Sequence, residues 1–134
     1  MTKEEKELLF KDLCGRLPYG VKINVKDDAN GLDYDTNLDL VHLAGFGVSE
    51  SNEMKPYLRL MEDMTEEECD MVEVILGDEN IFDFMRNGDI ILKEGKFTQV
   101  ILSRLYDYFN SIHVDYRGLI PKGLALEAPE GMYN

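Results

Sequence analysis

With 134 residues, 44% of them hydrophobic and six Phe and seven Tyr among them, the chain has the size of one ordinary domain and enough apolar matter to offset the entropy of ordering, which excludes wholesale disorder. Its net charge of -13 is unevenly placed: residues 27–89 carry three Lys/Arg against eighteen Asp/Glu, residues 1–26 six against four, and residues 90–134 five of each. Such a field repels phosphate backbones and anionic lipid, so direct binding to nucleic acid or membrane is not expected, and a basic protein is the expected partner.

In chain order, Thr2 followed by Glu5 is a capping box, and Leu9, Phe10, Leu13 and Leu17 mark one face of a helix expected over residues 3–15, stopped by Gly15 and Pro18. Val21, Ile23 and Val25 alternate with Lys22, Asn24 and Lys26, the pattern of a half-buried strand. Asn30-Gly31 then signals a hairpin. Two or three short strands, over about 32–35, 38–46 and 56–61, are expected to complete a small antiparallel sheet, with Pro56 placing the last at an edge.

Thr65 with Glu68 forms a second capping box, its acids in the first turn where the helix dipole favours them, and Cys69, Val72, Ile75 and Leu76 keep helical spacing up to Gly77. Residues 78–88 fit helix or strand, and Ile90 to Leu92 suit a brief strand. The strongest periodicity is Ile101, Leu105, Tyr108, Phe109 and Ile112, a helix over 98–112 whose other face holds Gln99, Ser103, Arg104, Asp107 and Asn110. The tail reads as an extended segment with turns at Gly118, at Pro121-Lys122-Gly123 and at Pro129-Glu130-Gly131. The sum is an α+β fold, a small antiparallel sheet packed by about three helices in a single domain spanning residues 1–134.

Cys14 and Cys69 lack any CxxC or Cys/His neighbour and sit in helical apolar patterns, so both read as small core hydrophobes rather than as a bridge. The opening MTKEEKELLF has neither a long apolar h-region nor a small-residue cleavage site, which makes the cytoplasm the expected address.

Few constellations carry chemistry. The loop Asp27-Asp28-Ala29-Asn30-Gly31 suggests a calcium site, but with Gly31 in sixth place Lys26 falls first and Asn37 twelfth, where a carboxylate and a bidentate Glu are required. Asp27, Asp28, Asp33 and Asp35, with Asp39, are left as weak metal candidates or as turn residues on a solvated edge. His113 and Asp115, followed by Tyr116 and Arg117, are the densest group of catalytic residue types, yet no Ser or Cys nucleophile accompanies them, and a His just past a helix C-terminus is favoured by the dipole alone. His42 alternates with apolar neighbours on the expected strand. Gly45-Phe46-Gly47 lacks the rest of a dinucleotide fingerprint, and the Lys122-Gly123 turn lacks a following Ser/Thr, so no cofactor is expected. The acid-rich block with Glu62, Asp63, Glu66, Glu67, Glu68 and Asp70 is the candidate interaction surface.

Three stretches resemble a family of short proteins, without assigned activity, of gut anaerobic bacteria and their phages or prophages. They are Leu17-Pro18-Tyr19-Gly20-Val21, Lys55-Pro56-Tyr57-Leu58-Arg59-Leu60-Met61 running into Met64-Thr65-Glu66-Glu67-Glu68, and the tail from His113 to Tyr133. The resemblance implies a bacterial or phage accessory role and transfers no catalytic residue. The expected function is accordingly a non-catalytic acidic interaction module. The alternatives are a small enzyme built on His113 and Asp115, and a DNA mimic that inhibits a nucleic-acid-binding protein.

Overall fold

The computed structural model describes residues 1–48, 52–76 and 99–133; the ambiguous stretch 78–96 lies outside them. The fold is α+β, with four described helices and a four-stranded sheet. The chain divides into two units, Met1–Leu58 with Leu119–Asn134, and Arg59–Gly118, each with its own cluster of buried side chains.

The first unit opens with helix α1, Lys3–Arg16. Its capping box is reciprocal: the Glu5 N–H donates to Thr2 Oγ1 at 3.1 Å and the Thr2 N–H donates to Glu5 Oε1 at 2.9 Å. The helix runs through Gly15 to Arg16, and a 3-10 turn, Leu17–Tyr19, carries the chain to Gly20, whose φ of 69° ends it. Leu9 and Leu13 are buried as expected, whereas Phe10 is 40% exposed and Cys14, expected in the core, faces outward.

Strand β1, Lys22–Asp27, alternates as its sequence demands, with Val21, Ile23 and Val25 in the core. It turns through Gly31, at φ 66°, into β2, Leu32–Asn37, and the two pair antiparallel with Val25 opposite Tyr34. The return strand is thus regular over six residues.

The strand expected over 38–46 is instead helix α2, Leu40–Val48. Asp39 caps it, accepting the His42 N–H at 2.8 Å, and Leu43 and Phe46, three positions apart, face the core. The N-cap and the i, i+3 spacing outweigh the β-prone composition, and His42 therefore sits on a helix.

Strand β3, Asn52–Leu58, pairs antiparallel with β1 and is interior to the sheet, whose order is β2-β1-β3-β4. Pro56 is therefore not on an edge strand. Strand β4, Leu126–Glu127, reaches only Tyr57 and Leu58, so at Pro56 the strand has a ladder neighbour on one side alone, which limits the cost of its missing N–H. Because β4 runs parallel to β3, the sheet is mixed rather than antiparallel. The tail supplies that strand after a turn in which the Leu124 N–H donates to the Leu119 carbonyl at 2.9 Å and the Gly123 N–H to the Ile120 carbonyl at 3.0 Å. It is then latched: Tyr133 Oη donates to the Tyr57 carbonyl at 2.7 Å and accepts the Lys22 N–H at 2.9 Å.

The second unit holds a 3-10 turn, Met61–Asp63, helix α3, Glu66–Leu76, and helix α4, Gln99–Ser111. The Thr65/Glu68 box closes as expected, with the Glu68 N–H 3.2 Å from Thr65 Oγ1 and the Thr65 N–H 2.9 Å from Glu68 Oε1. Met61, Cys69, Val72, Leu105, Phe109, Val114 and Tyr116 form its core. Asn110, expected on the polar face of α4, is only 6% exposed. Among the described residues no helix is long and apolar enough to cross a membrane.

Candidate functional site

The group His113, Asp115, Tyr116 and Arg117 is built by the end of α4. His113 has φ 63°, the Val114 N–H donates to the Phe109 carbonyl at 3.1 Å, and the His113 N–H to the Asn110 carbonyl at 3.3 Å. These two bonds around a left-handed residue are a Schellman cap, and the apolar contact that usually accompanies it is supplied by Val114 and Phe109, both in the core. Beyond the cap the chain pairs with Arg59: the Arg59 N–H donates to the His113 carbonyl at 2.7 Å and the Asp115 N–H to the Arg59 carbonyl at 2.8 Å. Asp115 is 8% exposed. Tyr116 stacks on Tyr106 and Phe109, with ring centroids 5.1 and 5.6 Å away, and Arg117 lies 4.9 Å from its ring. The backbone at His113 and Asp115 thus shapes a helix end, and Tyr116 fills the core. An open groove of about 440 Å³ exists elsewhere, in the first unit, lined by Lys3, Lys6, Glu7, Phe10 and Phe46; none of the four candidates lines it.

The acidic candidates separate into two sets, one in each unit. In the first unit three of the hairpin aspartates, Asp27, Asp33 and Asp35, accept bonds from neighbouring donors. Asp27 holds its own turn, accepting the Ala29 N–H at 3.1 Å and Asn30 Nδ2 at 2.7 Å, while Asp28 is exposed. Asn24 Nδ2 donates to Asp33 Oδ1 and to Asp35 Oδ1, each at 2.9 Å, and Tyr57 Oη donates to Asp35 Oδ1 at 2.8 Å. These donors, Asn24 first, hold the Asp35 carboxyl below the usual range. Asp39 is likewise held low, chiefly by the His42 N–H, and its Oδ1 lies 2.7 Å from His42 Nδ1. Among the described residues no three His, Cys, Asp or Glu side chains converge as metal ligands.

In the second unit Glu62, Asp63, Glu66, Glu67 and Asp70 are exposed around the start of α3. Glu68 is not part of that free set. Its Oε1 and Oε2 receive Arg59 Nη2 and Nη1 at 2.7 and 2.8 Å, and Arg59 also donates to the Ile112 carbonyl at 3.0 Å. The guanidinium holds the Glu68 carboxyl below its ordinary value, against the opposing effect of burial. Arg59 thereby ties the α3 cap to the end of α4.

Sequence reading missed Arg59 because no local pattern announces a pair nine residues apart. It also missed that Asp12 and Arg16 are both fully buried, bonded at 2.7 and 3.2 Å. That one was legible: Leu9, Asp12, Leu13 and Arg16 fall at i, i+3, i+4 and i+7, a single buried stripe. Comparison with protein-family models, with curated proteins and with solved structures returns no match for this chain.

Proposed function

We propose that this chain is a non-catalytic interaction module that offers carboxylates to a basic protein, in keeping with an accessory role of bacterial or phage origin. The observation that carries the reading is that Glu62, Asp63, Glu66, Glu67 and Asp70 stand exposed together at one helix start, while the one basic side chain that bonds to that block among the described residues, Arg59, is committed to Glu68. The helix dipole favours Glu66 and Glu67 in the first turn, but the like-charge pair Glu66 and Asp70 at i, i+4 opposes helix stability by a few tenths of a kcal/mol, so the dipole does not account for Asp70. The catalytic alternative draws less support, because the backbone at His113 and Asp115 and the ring of Tyr116 serve the end of α4 and the core.

The test is capture from a bacterial lysate at low and at high salt, using the chain and a variant with Glu62, Glu66 and Glu67 changed to Gln and Asp63 and Asp70 to Asn. A basic protein held by the chain at low salt, released by screening and absent from the variant supports the reading. A partner retained by both chains at high salt overturns it.

A further inference from the structure

Strand β2 is the open edge of the sheet, six residues long, with β1 as its only described neighbour. An unpaired edge is a template for another strand, and proteins usually blunt it by shortening, bulging or covering it or by placing charges on it. Among the described residues this edge is neither short, bulged nor covered, and its charges, Asp33 and Asp35, are of one sign, so they repel acidic strands and not basic ones; Leu32 is 51% and Tyr34 42% exposed, although they share the sheet face on which Ile23 and Val25 are buried. Its two faces differ in chemistry. One carries Leu32 and Tyr34; the other carries Asp33 and Asp35, whose Oδ1 atoms turn inward to Asn24 and, for Asp35, to Tyr57 as well.

We propose that the β2 edge takes up an extended segment of a partner protein that alternates apolar with Lys or Arg residues, adding a fifth strand to the sheet; this rests on the acidic-interaction reading and adds to it a second site, in the first unit, with a stated partner chemistry. Charge selects the occupant. A second copy pairing antiparallel about Tyr34 would set Asp33 of one chain against Asp35 of the other, twice, and like charges directly opposite are unfavourable. A basic-apolar strand meets both faces at once. The chain already shows that match on the inner edge, where β1 sets Val25 against Tyr34 and Lys26 against Asp33. Backbone hydrogen bonds would supply affinity and the alternating side chains the register.

The probe is the peptide Val-Lys-Ile-Lys-Val-Lys, which is residues 21–26 with Lys in place of Asn24, titrated into the chain and followed by amide chemical shifts. A version with Glu at the three Lys positions is the control. The expected result is saturable shifts centred on residues 32–37, weakened about tenfold by Asp33→Lys with Asp35→Lys, which in turn binds the Glu peptide. Asp33→Asn with Asp35→Asn, which keeps side-chain shape, should weaken the Lys peptide without gaining the Glu one. Shifts confined to Glu62, Asp63, Glu66, Glu67 and Asp70 overturn strand addition and leave the acidic-interaction reading standing. No binding of the Lys peptide at low salt overturns both.

Discussion

His113 separates structural from chemical roles most sharply. A left-handed conformation at a non-glycine residue costs about 1–2 kcal/mol, and here it closes a Schellman cap. His113→Gly should therefore be more stable than His113→Ala by about 1 kcal/mol in chemical denaturation. A buried ion pair behaves differently. Asp12 and Arg16 are fully buried, so Arg16→Met, which removes the guanidinium bonded to the Asp12 carboxylate, should cost about 3–5 kcal/mol, while Asp12→Leu with Arg16→Met should recover most of it. A double-mutant cycle measures the difference. Tyr133 titrates as well as packs: burial, above all, pushes its hydroxyl up to about 12 from an ordinary 10.0. Because the folded state prefers the neutral phenol, its contribution is whole below about pH 10 and is lost as pH rises through about 12. Tyr133→Phe should cost about 1–2 kcal/mol at neutral pH, by loss of its bonds to Tyr57 and Lys22, and should flatten that alkaline decline in melts run from pH 8 upward.

At the scale of elements, the caps explain which expectations held. Thr2/Glu5 and Thr65/Glu68 are complete within four residues, so they are readable from order alone, and both form as expected. The same kind of signal lay at Asp39, three residues before His42, but the alternation of Leu38, Leu40, Val41 and Leu43 drew the segment toward a strand. Leu40 and Val41, at 71% and 80% exposed, show why that pattern misled: their hydrophobicity is not used for burial. Helix α3 offers a direct test of the interaction reading. Asp70→Lys replaces a like-charge neighbour of Glu66 by a favourable Glu-to-Lys pair at i, i+4, and should raise stability by about 0.5 kcal/mol. The same change should weaken capture of a basic partner, so a melt and a binding measurement on one variant should move in opposite senses.

For the whole molecule, a charge of -13 on 134 residues means self-repulsion that salt relieves. The melting temperature at pH 7 should rise by a few degrees between about 0.05 and 0.5 M sodium chloride, as the Debye length contracts from roughly 14 to 4 Å. A fall instead would mean that screened attractive pairs, Arg59 with Glu68 foremost, dominate the balance. The α+β class, both ends of α1, the start of α3 and the end of α4 to within a residue or two, the first strand and the hairpin turn followed from the sequence by itself, because each depends on side chains within a few positions of one another. What only the tertiary structure decided depends on partners far apart in the chain: the parallel strand that the tail adds beside Leu58, the Tyr133 latch on Lys22 and Tyr57, the Arg59 clasp on Glu68 and Ile112, and the bare apolar face of β2. Local periodicity tells which residues prefer burial, but which of them find cover is set by elements many residues away.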